Sequence, residues 1–322
     1  MKQFVELALK TLSCNQKELA RRLRVSATQI SNWKNDEYMS TEMQDKFRSL
    51  LKIGHHFPGF VLYAGSVEAA DKWEKLFLYL ANLAVEGGDT GFDVSCLTEE
   101  PDLLSALTTH TLRKMGVSLP EVFPAELDID YDAMDDSVDA AIEANPYSLL
   151  LGTLYRHYVE IYGFYEAYIG RLDFNGRDDE AQTMAHEIHV DLLDLAATKM
   201  SPDSLGGLVS NFENFQFLVR DNFRSNLNFI KERAFAAGLP LGAELMNLVD
   251  DPSGSLGREA EFKHFGFDRL RLHPDVYMNE ILTGVREIRR ALPAILAKLG
   301  IAAEGESEDP ELEPPLPEFK PN

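Results

Sequence analysis

The chain has 322 residues, 45 % of them hydrophobic, and a formal net charge of −22. This length points to two or three domains with a sizeable core, and the acidity at first argues against a nucleic-acid binder. Two cysteines, Cys14 and Cys96, make no disulfide framework or close metal pair, and no run of about 18 apolar residues suggests a membrane partner or span.

The first strong pattern is QKELARRLRVSATQISNWKN at 16–35. Leu19, Ala20 and Leu23 share one face of a helical turn, Ile30 and Trp33 share a face of the next, and Val25 can fill the space between them. Ala20 is small where two helices would approach most closely. Helix starts are marked by Asn15 with Glu18, Ser26 with Gln29 and Thr41 with Gln44. The spacing predicts helices near 3–12, 16–23, 27–34 and 41–52.

This arrangement resembles the Cro/repressor-type (XRE-like) helix-turn-helix family over about residues 3–53. Arg24 stands in the turn where that family often has Gly. The resemblance implies that the helix at 27–34 enters the DNA major groove. Its outward face carries Ala27, Thr28, Ser31, Asn32 and Lys34, with Gln29 at the edge. Base reading is expected from Ala27, Thr28, Gln29, Ser31 and Asn32, with Thr28 and Asn32 setting specificity. By the same resemblance Gln16, Lys34 and Asn35 contact phosphates, and Arg21 and Arg24, with Arg22 beside them, add positive charge.

The charge distribution removes the conflict with acidity. Residues 1–55 hold 10 Lys+Arg against 6 Asp+Glu, a net of +4, so the remainder carries −26. An acidic body repelled by phosphate leaves the basic head as the only contact and calls for dimerisation to raise affinity.

After a helix-turn-helix domain at 1–54, residues 55–66 read as a linker, GHHFPGF at 54–60 as a linker or hinge, and FVLYAG at 60–65 as a short strand or the lead-in to a helix. An α-helical dimerisation and regulatory domain is expected at 67–302, with helices at 67–86, 99–115, 132–144, 147–173, 178–200, 203–237 and 275–299. Tyr155, Tyr158 and Tyr162 belong to an aromatic stripe read as core or interface, with a ligand pocket as the alternative. The Glu- and Pro-rich end, 303–322, reads as a disordered acidic tail.

No P-loop, dinucleotide-binding or nucleophile-elbow motif occurs, so no enzyme and no cofactor are expected. His186 and His189 in HEIH come nearest to a metal site, but their i, i+3 spacing lacks the second histidine at i+4, and both are placed on the solvent side of their helix. Arg220, Arg224 and Lys231 form a basic strip, read as a solvated face or an anion site. The expectation is an all-α, cytoplasmic, homodimeric DNA-binding repressor that recognises a double-stranded operator. A partner protein or small-molecule effector would act at its C-terminal domain. The alternatives are an antitoxin-like or defence-system regulatory protein that binds a partner, or an effector enzyme with a DNA-binding head.

Overall fold

A computed structural model describes residues 1–133, 136–174, 178–202, 207–239, 241–267 and 274–299. The fold is all-α, and among the described residues there is no strand. None of the described helices is long and apolar enough to cross a membrane. Met1–Leu272 forms one compact unit and His273–Asn322 a second.

The first unit opens with α1 (Lys2–Thr11), α2 (Gln16–Leu23), α3 (Ala27–Lys34) and α4 (Thr41–Leu51). Side-chain caps start three of them. Asn15 Oδ1 accepts from Glu18 N at 2.9 Å, Ser26 Oγ from Gln29 N at 3.1 Å and Ser40 Oγ from Met43 N at 3.4 Å. The third cap is Ser40, one residue before the expected Thr41. Ser40 has the extended backbone an N-cap needs, while Gln44 reaches back to the Met39 carbonyl. Phe4, Leu19, Ile30, Trp33, Met39 and Phe47 are buried together as the core of these four helices.

The stretch expected as a linker is a packed junction. Its helix α5 (Pro58–Ala64) starts on Pro58, whose missing N–H costs nothing in the first turn. Phe60, Val61 and Ala64 are buried, and the helix packs on α1. Of the two readings of 60–65, the helical one holds. The junction is hidden from local reading because Gly54, Pro58 and Gly59 look like loop residues until α5 finds apolar partners on both sides.

Next come α6 (Val67–Gly87) and α7 (Pro101–Met115), and α5 packs on both. Ser66 caps α6, and Ala70, Trp73, Phe77, Leu80 and Ala84 make its buried stripe. Helix α7 ends at Gly116 (φ +81°), where a Cβ would meet Ser210 Oγ at 2.5 Å and Asn211 N at 3.2 Å. Only glycine suits both the backbone and the close crossing.

After α8 (Asp136–Ala144) comes α9 (Pro146–Tyr168), the centre of the body. Its apolar residues cover most of its circumference, as suits a helix packed on several sides. The predicted helix at 178–200 is divided at Asp191 (φ −93°, ψ 3°) into α10 (Asp179–Val190) and α11 (Leu192–Thr198). Every residue of α11 is buried, whereas α10 buries only Ala181, Ala185 and Ile188. One straight helix cannot serve both environments.

Helix α12 (Phe212–Ala237) begins nine residues later than expected, because Ser210 and Asn211 hydrogen-bond to the end of α7. Helices α13 (Asn247–Asp250) and α14 (Ser253–His264) follow, where the sequence pattern predicts none. Helix α9 packs against α6, α8, α11, α13 and α14. Tyr155 is fully buried in this core with its hydroxyl 2.8 Å from Thr108 Oγ1, and Tyr158 stacks on Tyr162 at 5.7 Å. The tyrosines are therefore core.

In the second unit, α15 (Pro274–Leu299) is helical throughout. The tail at 303–322 lies outside the described residues.

Candidate nucleic-acid interface

The geometry of residues 15–35 follows from its turn. Arg24 lies in the left-handed region (φ 57°, ψ 45°), and Val25 N donates to Ala20 O at 2.9 Å, closing a Schellman-type end on α2. The position is one glycine fills without strain, and a side chain there costs about 1 kcal/mol.

Behind the turn, Leu19, Ala20, Leu23, Ile30 and Trp33 are buried and Val25 is half-buried. Trp33 Nε1 donates to the Tyr38 carbonyl at 3.1 Å, which satisfies the one polar atom this ring takes into the core. Helix α3 packs on α1 and α2 by that side.

Its other side is open. Ala27, Thr28, Ser31, Lys34 and Asn35 are exposed, while Gln29 and Asn32 are half-buried at the edges. Gln16 is half-buried at the start of α2, and Arg24 is exposed at the turn. The side chains of Thr28, Ser31, Asn32 and Lys34 make no hydrogen bond or ion pair with the described residues, so their polar atoms are available to a ligand.

Arg21 differs. Its guanidinium forks onto Glu18, with Nε at 3.0 Å from Oε2 and Nη2 at 2.8 Å from Oε1, and Arg22 Nε shares the same carboxylate at 3.0 Å. These hydrogen bonds from Arg21 and Arg22 hold the Glu18 carboxyl below its usual range. The pairs are solvent-facing and weak, so Arg21 can leave Glu18 for a phosphate at little cost.

The body arranges its own candidates differently from expectation. His186 is exposed, but His189 is half-buried, stacked on Tyr165 with ring centroids 5.3 Å apart. Burial lowers its pKa. The stripe of α10 predicts a solvent-facing His189 because it carries no knowledge of α9, whose tyrosines cover that flank. Two residues of the basic strip are paired with acids, while Arg220 Nε is buried without a hydrogen-bond partner among the described residues. Arg224 Nη2 sits 2.6 Å from Asp250 Oδ1, and Lys231 Nζ sits 2.5 Å from Glu244 Oε1. These partners follow α12 in the chain and lie across from it, so intrahelical spacing does not disclose them.

Among the described residues, the group with ligand atoms close enough for a metal ion is His55, His56 and Glu74. The sequence carries its pieces apart, a His-His pair at 55–56 and, 15 positions further on, Asp71 and Glu74 at i, i+3 on one helix face. The loop-like composition of 54–60 hides that the two meet.

No family model, curated protein or solved structure matches this chain.

Proposed function

We propose that the protein is a sequence-specific DNA-binding transcriptional regulator that represses by occupying an operator. The observation that supports this most is the free polar face of α3, held by buried Ile30 and Trp33 beside a tightly turned α2. In this reading α3 lies in the major groove. Thr28 and Asn32 read base edges, with Ala27, Gln29 and Ser31 alongside. Gln16, Arg21, Arg24, Lys34 and Asn35 hold the phosphates and fix the register.

One head of net charge +4 binds weakly, so the reading includes self-association. Helix α15 supports it. Ile281, Val285, Ile288, Leu292, Ile295 and Leu299 recur at alternating steps of four and three, the spacing of a coiled-coil seam. Isoleucine falls at the d positions and leucine at two of the three a positions, a choice that favours assemblies larger than two strands. Sedimentation equilibrium is expected to show at least a dimer for the full chain and a monomer for Ile288→Lys. Unchanged mass in the variant would remove α15 from the interface.

The function is tested by selecting bound fragments from a DNA library that contains the protein's own upstream region, at about 0.1–0.2 M salt to weaken non-specific contacts. The expected product is a symmetric site with half-sites about 34 Å apart. Asn32→Ala is expected to cost about 1–3 kcal/mol at one base pair and relax the preference there. Lys34→Ala is expected to weaken all sequences alike and to reduce the salt slope by about one phosphate. Binding that salt erases without any sequence preference would overturn the proposal.

A further inference from the structure

We propose that His55, His56 and Glu74 form a binding site for a divalent transition-metal ion of the zinc class, with Asp71 orienting His56. The two histidines lie in the turn between α4 and α5. Asp71 and Glu74 lie one turn apart on α6. Arg48 Nη1 donates to the carbonyls of Gly54 and His56, both at 2.9 Å, and so holds the backbone that presents the pair.

His56 is 2 % exposed. Its Nε2 lies 2.7 Å from Asp71 Oδ1. A carboxylate only accepts, so Nε2 is the donor in this contact. His56 Nδ1 stands 3.3 Å from Glu74 Oε1, and both atoms are buried without a hydrogen-bond partner. A buried imidazole nitrogen and a buried carboxylate oxygen left without hydrogen bonds are unfavourable, and a cation between them would satisfy both. Two ligand atoms at about 2.0–2.1 Å from a tetrahedral ion stand about 3.3–3.4 Å apart, which matches this separation.

His55 closes the group from the solvent side. Its side chain is 57 % exposed, its Nε2 lies 2.8 Å from Glu74 Oε2, and the ligand atoms of all three residues fall within 4.8 Å of one another. Exposure leaves the His55 ring free to shift outward to coordination distance. Two imidazoles and one carboxylate suit zinc-class ions and not calcium or magnesium, which take oxygen ligands. The Asp71–His56 contact is the outer hydrogen bond that fixes a ligating histidine's tautomer and orientation. Three protein ligands leave a fourth position for water or a small molecule.

A bound ion would tie the α4–α5 turn to α6, and with it the four N-terminal helices to the body. The resulting dependence of operator affinity on metal rests on the DNA-binding reading; the site itself does not.

The test uses the full chain, stripped with a chelator and titrated calorimetrically with zinc chloride, with cobalt(II) as a spectroscopic probe. The expected result is one equivalent bound, a higher melting temperature with zinc, and the visible absorption of four-coordinate cobalt. Asp71→Asn is expected to weaken zinc binding about 10–100-fold. His55→Ala and Glu74→Gln are expected to weaken it at least as much, with the fold of each metal-free variant checked by circular dichroism. Absence of stoichiometric zinc binding, or binding undiminished in both His55→Ala and Glu74→Gln, would overturn the site. Operator binding is scored separately. Zinc binding without sequence-specific DNA binding keeps the site and removes the regulator; the reverse keeps the regulator and removes the site.

Discussion

Replacing Phe47 with alanine is expected to cost about 3–5 kcal/mol of stability and to abolish operator binding, although Phe47 touches no DNA in the proposed complex. Its ring is fully buried, 5.6 Å from Phe4 and 6.0 Å from Trp33, so it joins α1, α3 and α4 at one point. The cavity left by truncation would lie directly behind α3. A loss of this size is a large fraction of the roughly 5–15 kcal/mol that keeps a protein folded. Because α5 packs on α1, α6 and α7, urea unfolding followed by circular dichroism is expected to show one shifted transition and no early melting of the first four helices. Thr28→Ala serves as the contrast, with stability changed by less than about 0.5 kcal/mol and specificity altered. A Phe47→Ala variant within 1 kcal/mol of wild type would mean that this core is not what holds α3 in place.

Stability is also expected to rise between about pH 7 and pH 10. Burial, with Arg220 nearby, lowers the pKa of Lys199 from 10.5 to about 7, against the opposing pull of Asp251 and Asp250. The unfolded chain therefore binds a proton in this window that the folded chain does not, and stability climbs as pH rises through it. Lys199 Nζ donates to the carbonyls of Val249 at 2.7 Å and Asp251 at 2.6 Å, and these favour the charged amine. These two contacts offset part of the burial penalty, and the expected gain is about 2 kcal/mol. Above pH 10 the trend reverses. Burial pushes Tyr131 and Tyr165 up to about 12, while an unfolded tyrosine ionises near 10. Urea midpoints at pH 6.5, 8 and 9.5 test the slope. Lys199→Met is expected to flatten it, with a constant offset from the two carbonyls it leaves unpaired, and an unchanged slope would assign the dependence to other groups.

Much of the first four helices is legible in the chain because their information is local. A cap and its N–H lie three residues apart, as do Ile30 and Trp33, and a helix needs no distant partner to display them. Even there Ser40 and Thr41 compete for one cap, and the backbone, set by the packing of Met39 and Phe47, chooses between them. The outward face of α3 follows from the same periodicity. Its base- and phosphate-contacting roles come from the resemblance and await the DNA experiment.

The sequence by itself determined an all-α chain, the bounds of α2 and α3, the buried tyrosine stripe and the separation of a mildly basic start from an acidic remainder. Tertiary structure alone decided that 58–64 is a packed helix, that α10 and α11 part at Asp191, that His189 lies under Tyr165, and that Arg224 and Lys231 find acids across from α12. It also decided that His56 meets Asp71 and Glu74, which lie 15 and 18 positions further along the chain. The division follows range. Caps and stripes depend on neighbours within a turn or two, whereas burial of a histidine, pairing of a cation and closure of a metal-sized gap depend on which helix arrives from elsewhere in the chain.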